Sequence, residues 1–138
     1  MYAQRDQLRD VSARGLITSW CDESEREPGL KMLVDAIVWD GTNLPAVWQF
    51  VRGVLRSRVN AHGGLCITYA YGGSQYVIGV PLMGYLITRN GDVRGAYNAR
   101  VMRETFVQVP QEALTSDSAF GHWAKHISRR PAVVRSKT

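Results

Sequence analysis

Apolar runs rich in β-branched and aromatic residues recur over residues 63–109 between turn-forming residues, and this pattern predicts a series of β-strands. Two stretches, Leu65–Tyr71 and Ser74–Val80, are rich in β-branched and aromatic residues, and Gly72 and Gly73 stand between them. Two glycines supply the positive φ angles of a tight turn, so we predict a β-hairpin with a two-residue loop. The cross-strand pairs would then be Tyr71 with Ser74, Tyr69 with Tyr76, Ile67 with Ile78, and Leu65 with Val80.

This register divides the hairpin residues between two faces of the sheet. One face would carry Leu65, Ile67, Tyr69, Ile78 and Val80, and the other Cys66, Thr68, Ala70, Gln75 and Val77. Apolar cross-strand pairs stabilise a sheet, so we expect the first face to pack on helices. The second face would stay partly open, or available to a partner chain.

Asn90 and Gly91 form the strongest short hairpin dipeptide, and they would join strands at 84–89 and 92–98. The residues that flank this turn, Arg89 and Asp92, would face each other as a surface ion pair worth roughly 0–1 kcal/mol. A second hairpin is therefore predicted directly after the first.

Pro81 lies between the two hairpins and cannot donate a ladder hydrogen bond, so it should mark a bulge, a kink or an edge. A last strand at 101–109 would end before Pro110. The simplest arrangement of these strands is a four-stranded antiparallel meander sheet that covers about residues 64–109.

Apolar residues at near-helical spacing predict three helices before the sheet and one after it. Their approximate bounds are residues 3–20, 28–41 and 43–62 before the sheet, and 116–130 after it. Thr42 or Asn43 would cap the third helix, and Ser116 the fourth. The apolar stripes are Leu8, Val11, Leu16 and Trp20; Leu30, Leu33, Val34, Ile37 and Val38; Leu44, Val47, Trp48, Val51 and Leu55; and Phe120, Trp123, Ala124 and Ile127.

Helices grouped before and after an antiparallel sheet define an α+β domain. The predicted fold is a four-stranded antiparallel meander sheet packed against three N-terminal helices and one C-terminal helix. A chain of 138 residues is one domain by default. We place this domain at 1–130 and a basic C-terminal tail at 131–138.

Composition and charge favour a soluble cytoplasmic protein. The chain is 45% hydrophobic, but no apolar run approaches the ~18 residues of a membrane span. The N-terminus lacks the apolar core of a signal peptide, and Cys21 and Cys66 form no CxxC pair, so we expect a reduced, cytoplasmic chain without membrane contact. The net charge is +5, and 14 of the 17 basic residues are arginine, which suits phosphate and carboxylate recognition.

The positions of histidine and cysteine in the sequence would permit a catalytic or metal site, but no specific motif supports one. His122 and His126 are four residues apart on a predicted helix, which suits a metal pair, but the HExxH motif and a nearby third ligand are missing. Cys66 with His62 could form a nucleophile and a base, although a small buried cysteine is the ordinary interpretation. No metal site is therefore predicted.

Other catalytic arrangements have equally little support. Ser74, His62 and Asp92 could be combined as a triad, but the chain has no GxSxG turn. The glycine pairs at 63–64 and 72–73 lack the spacing of a phosphate-binding loop. We therefore predict no catalytic residues and no cofactor, and a non-enzymatic protein is favoured over an enzyme without deciding between them.

Arginine and tyrosine side chains are the feature that indicates binding. Tyr and Arg are enriched at protein interfaces, and Arg with exposed aromatic rings can also follow a nucleic-acid backbone. No signature of a nucleic-acid-binding fold occurs, and the acidic first half of the chain would repel phosphate. A protein partner or self-association is therefore favoured over nucleic acid. The predicted partner-binding residues are Arg52, Arg56, Arg58, Tyr71, Tyr76, Lys125, Arg129 and Arg130.

The expected function is that of a small non-enzymatic binding protein that docks on a macromolecular partner. Phage or mobile-element accessory proteins, including inhibitors of host complexes, are also small single-domain binding proteins. This analogy rests on size and composition and on no shared motif. One alternative is a nucleic-acid-binding protein with a basic Arg/Tyr surface. The other is a small toxin-like nuclease or transferase that uses His62, His122 or His126 with nearby arginines.

Overall fold

The computed structural model describes residues 17–22 and 33–127. Within these ranges the chain is an α+β protein with antiparallel sheets, as the sequence predicts. No helix in this part of the chain is long and apolar enough to cross a membrane. The elements in chain order are β1 Thr18–Asp22, β2 Leu33–Val38, α1 Leu44–Phe50, β3 Val54–Val59, β4 Leu65–Tyr71, β5 Ser74–Val80, β6 Tyr85–Arg89, β7 Asp92–Tyr97, α2 Ala99–Thr105, β8 Phe106–Gln108, a 3-10 helix Gln111–Leu114 and α3 Asp117–Ile127.

The described strands form two sheets. β3, β4 and β5 form a three-stranded antiparallel sheet, and the remaining strands form a five-stranded sheet in the order β7-β6-β2-β1-β8. The predicted four-stranded meander is wrong, because β6 pairs with β2 and not with β5. Pro81, predicted to mark a bulge, a kink or an edge, begins the turn at residues 81–84 that takes the chain from one sheet to the other.

The first predicted hairpin is confirmed. β4 and β5 pair in the predicted register, and Gly72 and Gly73 have positive φ angles of 59° and 81°. The predicted inward face is also confirmed, because Leu65, Ile67 and Val80 are each 1% exposed or less. This face packs on α1, as expected of a helix, and also on strands of the five-stranded sheet.

The second predicted hairpin is confirmed as well. The Asn90-Gly91 turn joins β6 to β7, with φ angles of 55° and 87° at the two turn residues. Arg89 and Asp92 are opposite each other in the ladder. The two side chains do not form the predicted ion pair, whereas Arg100 and Glu104 do pair, at 3.3 Å.

The second predicted helix is wrong where it can be compared with the structure, because residues 33–38 form strand β2. Both faces of β2 are buried: Ile37 lies in the main core, whereas Val34 and Ala36 lie in a second cluster on the other face of the sheet. A strand that is buried on both faces does not alternate between apolar and polar residues. Its continuous apolar run then resembles the apolar stripe of a helix. The end of the first predicted helix is also wrong, because residues 18–22 form β1; residues 3–16 lie outside the described residues.

The third predicted helix is correct only for its first half. α1 ends at Phe50, Gly53 takes a φ of 79°, and Val54–Val59 continues as β3. Asn43 precedes α1 but its side chain does not cap it. The Asn43 amide instead donates to the carbonyl of Val38 at 2.7 Å, and so joins the end of β2 to the start of α1.

The last predicted strand is wrong over most of its length. Residues Ala99–Thr105 form helix α2, and only Phe106–Gln108 is extended, as β8. The Asn98 side chain accepts a hydrogen bond from Val101 N–H at 2.8 Å, which is the N-cap contact that begins a helix. Met102 and Phe106 then face the same cluster at a helical spacing.

The predicted C-terminal helix is confirmed through residue 127. Ser116 accepts a hydrogen bond from Ala119 N–H at 3.0 Å, as a cap should. Phe120 and Ala124 are 2% exposed and pack with Cys21 and Val109 beside β1 and β8. The predicted boundary at residue 130 and the tail at 131–138 lie outside the described residues.

Candidate protein-binding surface

Large apolar side chains that are exposed to solvent are concentrated in one half of the described structure. Eight of them are between 40% and 66% exposed, and all lie in α1, the three-stranded sheet or the turn at 81–84. Single exposed apolar residues are ordinary, whereas contiguous exposed apolar residues indicate an interaction surface, so this half is where we look for one. The eight are Trp48, Leu55, Val59, Tyr71, Tyr76, Val77, Leu82 and Met83.

The same half of the chain contains no carboxylate. No Asp or Glu occurs between Asp40 and Asp92, and no Lys, Arg, Asp or Glu occurs between Arg58 and Arg89. Charged residues are depleted at the centres of protein interfaces, while aromatic residues and Met are enriched there. The composition of this half is therefore that of an interface.

The overall positive charge lies elsewhere. The described residues contain eight basic and seven acidic side chains, so this part of the chain is almost neutral. Most of the excess belongs to the C-terminal segment, which contains Arg129, Arg130, Arg135 and Lys137. These residues, two of them predicted to bind a partner, lie outside the described residues.

Three loops meet at one end of the molecule around Trp39, and we call this surface the Trp39 end; its loops are residues 40–43, 60–64 and 81–84. The Trp39 ring is 1% exposed, and its Nε1 donates to the carbonyl of Gly63 at 2.7 Å. Its backbone N–H donates to Gly84 at 2.9 Å, and its carbonyl accepts from Met83 N–H at 2.7 Å. One buried residue therefore holds two of the loops by hydrogen bonds, and the 40–43 loop follows it directly along the chain.

Each loop is also fixed internally. The Asp40 carboxylate accepts hydrogen bonds from the Thr42 hydroxyl at 2.7 Å and the Thr42 N–H at 2.8 Å. These hydrogen bonds stabilise the charged form and lower the pKa of Asp40 below its ordinary value. In the second loop, Asn60 Oδ1 accepts from the N–H groups of His62 and Gly64, each at 2.9 Å.

The turn at residues 81–84 carries two exposed apolar side chains, Leu82 at 46% and Met83 at 56%. Gly84 N–H donates to Pro81 at 2.8 Å, and Met83 has a φ of 64°, which together describe a type II turn. The Leu82 side chain lies against Gly41 and Gly63, where a Cβ on either glycine would be 3.3 Å and 3.1 Å from it. The turn is therefore rigid although its two side chains are partly in solvent.

Met83 has a backbone conformation that L-residues avoid. The left-handed region costs a residue other than glycine about 1–2 kcal/mol and is used mostly by Gly, Asn and Asp. Asn90 is the one other non-glycine residue with a positive φ among residues 17–22 and 33–127, and asparagine suits a hairpin turn. Methionine has no such preference for the left-handed region.

The outer face of the three-stranded sheet, which includes Val77, faces away from the core. Arg58 and Arg56 on β3 are in register with Cys66 and Thr68 on β4. Both arginines are exposed, so the structure places this predicted pair together on one face, although on a strand and not on the predicted helix.

The predicted tyrosines lie on the opposite face from these arginines. Tyr71 is 53% exposed and Tyr76 47%, at the end of the hairpin that projects beyond the core. The ring of Tyr76 stacks on Tyr69 at 5.7 Å, and burial, followed by the charge of Tyr76, raises the pKa of Tyr69. Arg52, also exposed, donates its backbone N–H to Gly91 at 2.7 Å. The predicted Arg/Tyr set is thus divided between two faces.

Lys125 belongs to α3. The core cluster beneath α3 shares no residue with the core cluster beneath the three-stranded sheet, so Lys125 belongs to a different part of the fold from the predicted arginines and tyrosines of that sheet. His122 and His126 are both exposed on the same helix. No group of three or more His, Cys, Asp or Glu side chains that could hold a metal occurs within the described ranges.

The remaining catalytic alternatives are not assembled in the described part of the chain. His62 lies in an exposed turn and Cys66 on the outer sheet face, and no hydrogen bond joins their side chains. Likewise, no hydrogen bond connects Ser74, His62 and Asp92. Neither pattern forms a nucleophile held by a base.

Sequence reasoning missed Trp39, Leu82 and Met83 as parts of a site. The available signal was a pair of large apolar residues between Pro81 and Gly84, where a turn would expose them. The sign of the Met83 φ angle could not be read from the sequence. Comparison with protein-family models, curated proteins and solved structures gives no match.

Proposed function

We propose that this chain is a small non-enzymatic binding protein that docks on a partner protein through the Trp39 end. The observation that carries the proposal is Met83, a large apolar residue that is 56% exposed and has a φ of 64°. Backbone strain of this kind persists where the surrounding structure imposes it, and it clusters at binding and switch regions.

The fold gains little from a methionine at this position. Asparagine or glycine would meet the same turn geometry at lower cost, and a side chain that is more than half exposed contributes little to the core. The stabilising partner of Met83 is therefore expected in another molecule. Methionine suits such a contact because its flexible thioether adapts to the surface of a partner.

Preorganisation supports the same proposal. Leu82 and Met83 are presented by a turn whose backbone is bound to Trp39 and whose base is packed on two glycines. A turn whose backbone is already fixed loses little backbone conformational entropy when its side chains enter a pocket, so more of the burial energy appears as affinity. Central apolar anchors of this type dominate the energy of protein interfaces.

The charges around this turn favour protein over nucleic acid. The residues of the Trp39 end contain no Lys or Arg, and they include the exposed carboxylate of Asp40. A phosphate backbone requires cations, which are the main source of affinity for nucleic acids. Arg56 and Arg58 lie on β3, outside the three loops. An inhibitor of a host complex, such as a phage or mobile-element accessory protein, would act by occupying a protein surface in this way.

The test is affinity purification from the native host with the full chain and two variants. Met83→Asn removes the apolar side chain and keeps the left-handed turn, whereas Leu55→Asn changes an exposed apolar residue that lies on β3, outside the Trp39 end, as a control for the position of the contact. We expect the partner to be retained by wild type and Leu55→Asn, and reduced about tenfold or more by Met83→Asn, although Met83→Asn is at least as stable to heat as the wild type. Such a loss corresponds to about 1.4 kcal/mol.

Three outcomes would contradict the proposal. The first is equal capture by Met83→Asn. The second is loss of the partner after nuclease treatment or at high salt, which would favour the nucleic-acid alternative. The third is turnover of a substrate that is abolished by His62→Ala, which would favour the enzyme alternative.

A further inference from the structure

The end of the molecule opposite the Trp39 end joins three separate segments of the chain. We call it the Arg52 end, and its residues are 52–53, 69–76 and 89–94. β4 and β6 both run from the Trp39 end to this one, and the seven residues of β4 place the two ends roughly 20 Å apart. Arg52 N–H donates to the carbonyl of Gly91 at 2.7 Å, and the carbonyl of Gly53 accepts from Ala70 N–H at 2.9 Å. Two consecutive residues therefore connect the β6–β7 turn to the β4–β5 hairpin.

Three tyrosines share one face of the hairpin at this end. Tyr69 and Tyr76 are opposite each other in the ladder, and Tyr71, two residues beyond Tyr69, lies on the same face. The rings of Tyr69 and Tyr76 stack at 5.7 Å, with 29° between their planes. Tyr69 is half-buried and packs on the main core, whereas Tyr71 is 53% and Tyr76 47% exposed. The stack therefore begins at the core and ends in solvent, where another planar ring can continue it.

Arg52 is held beside this hairpin by the backbone. Because paired chains run antiparallel, Arg52 before Gly53 lies on the side of Tyr71 after Ala70. A Cβ at Gly91 would lie 3.3 Å from the Arg52 Cβ and 3.8 Å from its Nε, so the side chain passes along the β6–β7 turn. Arg52 is exposed and forms no ion pair with the part of the chain that the structure describes. Its guanidinium group is therefore available to a ligand.

The charge of this end is opposite in sign to that of the Trp39 end. The Arg52 end contains three arginines, Arg52, Arg89 and Arg94, and one carboxylate, Asp92. The Trp39 end contains no Lys or Arg, and it includes the exposed carboxylate of Asp40. Arg52 and Arg94 are exposed, so an anion can reach them. A negatively charged ligand is therefore attracted to the Arg52 end and not to the docking turn.

We propose that the Arg52 end binds single-stranded nucleic acid, with bases stacked on Tyr71 and Tyr76 and a phosphate held by Arg52. A ligand for this end must combine planar rings with negative charge, and every nucleotide combines the two. Aromatic platforms beside cations are the means by which proteins hold single strands without reading their sequence. A duplex fits less well, because its bases stack on each other and their ring faces are not available to tyrosine.

An acidic protein segment is the competing ligand for these arginines. Carboxylates match guanidinium groups as phosphates do, but Asp and Glu have no aromatic ring to continue the tyrosine stack. Arg56 and Arg58 on the outer face of the three-stranded sheet provide the comparison. Their partners in the ladder are Thr68 and Cys66, so these two arginines present charge without an aromatic platform. They serve as the control for charge alone.

Fluorescence anisotropy of the full chain with a labelled mixed-sequence DNA strand of about 12 nucleotides tests the proposal. Tyr76→Ile removes the ring and keeps a side chain suited to a strand, whereas Tyr76→Phe keeps the ring. We expect Tyr76→Phe to bind like the wild type and Tyr76→Ile about tenfold more weakly. Tyr71→Ile should act in the same way, and it replaces Tyr76→Ile if that variant melts at a lower temperature than the wild type.

A second pair of variants separates the bound arginine from net charge. Arg52→Gln and Arg58→Gln lower the net charge equally, and both residues are exposed. Only Arg52→Gln should reduce the slope of log affinity against log salt concentration, by about 0.7 for one lost phosphate contact. Equal slopes for the two variants would contradict the proposal.

Three further results would overturn the proposal: no binding of the strand by the wild type, equal affinity of Tyr76→Ile and Tyr76→Phe, or equal affinity for the same sequence as a duplex. Competition by poly-glutamate as strong as that by unlabelled strand would also overturn it and would indicate an acidic protein ligand. Met83→Asn should bind the strand like the wild type, because residue 83 lies at the other end. A failure of this proposal is therefore distinguishable from a failure of the docking function.

Discussion

Met83 N–H donates a hydrogen bond to the carbonyl of Trp39 at 2.7 Å, so an exposed left-handed residue is held by one of the most deeply buried residues of the protein. Trp39 also bonds to Gly84, and these contacts continue the β2–β6 ladder beyond its last pair, Val38 with Tyr85. The core therefore fixes the orientation of the docking turn directly. A substitution of the buried Trp39 ring should therefore alter the turn at residues 81–84.

Replacing the Trp39 indole tests this connection. Trp39→Phe keeps an aromatic ring but removes the 2.7 Å hydrogen bond to the Gly63 carbonyl. We expect a loss of about 1–3 kcal/mol in the free energy of unfolding, measured by urea denaturation, because a buried partner group is left unsatisfied. Trp48→Phe is the control: its 3.0 Å bond to Ser57 is exposed, and its loss should cost about 0.5 kcal/mol or less. Equal losses for the two variants would argue against a special role of Trp39.

The strain at Met83 should be visible in stability without any partner. Met83→Asn relieves the left-handed conformation and should stabilise the fold by up to about 1 kcal/mol. Met83→Val should destabilise it by a similar amount of about 1 kcal/mol, because β-branched residues tolerate a positive φ least. Thermal unfolding of the three proteins measures the order, and a stability of Met83→Val equal to that of Met83→Asn would show that the turn is not strained.

Gly53 and Gly72 both have positive φ angles, of 79° and 59°, but only one of them is crowded. A Cβ at Gly53 would lie 2.7 Å from the backbone oxygen of Ala70, whereas a Cβ at Gly72 would meet nothing within 4 Å. We therefore expect Gly72→Ala to cost about 1 kcal/mol from the backbone conformation alone. Gly53→Ala should cost about 2 kcal/mol or more, because the β3–β4 ladder must also shift. Unfolding midpoints in urea would reveal the difference, and a reversed order would contradict the close approach of Gly53 to Ala70.

The Asp40 loop predicts a change in pKa. Thr42 donates its hydroxyl and its N–H to the Asp40 carboxylate, which lowers the pKa of Asp40 from 3.8. Thr42→Val removes the hydroxyl and should raise that pKa towards 3.8, measured by NMR titration. The stabilisation by the charged carboxylate is present above the unfolded pKa and is lost as the pH falls through the lowered folded pKa. An unchanged Asp40 pKa in Thr42→Val would assign the shift to another group.

The sequence by itself determined the elements that are set by local chemistry. The Gly72-Gly73 and Asn90-Gly91 turns were predictable because these residues supply the positive φ angles that tight hairpins require. The register of β4 and β5 followed from the loop length, and the Ser116 cap followed from a side-chain oxygen placed before an apolar helical pattern. The inward face of the first hairpin followed in turn from the register.

The predictions of local structure were wrong where a strand is buried on both faces or where a helix cap competes with a strand-like sequence. β2 is buried on both faces, so its alternation disappeared and Leu33–Val38 had the pattern of a helix. Residues 101–109 have strand-like β-branched residues, but the Asn98 cap and the Met102–Phe106 spacing favour helix α2. The second half of the third predicted helix became β3, which placed Arg56 and Arg58 on a strand facing away from Tyr76.

Only the tertiary structure decided which strands share a sheet and which strands lie at its edges. A strand presents the same backbone donors and acceptors to every other strand, so its alternation predicts that it pairs but not with which partner. β6 pairs with β2 and leaves β5 at an edge, and the turn between β5 and β6 then presents Met83 to solvent. The positive φ angle of Met83 depends on hydrogen bonds to Trp39 from a distant part of the chain, a contact that no local pattern encodes.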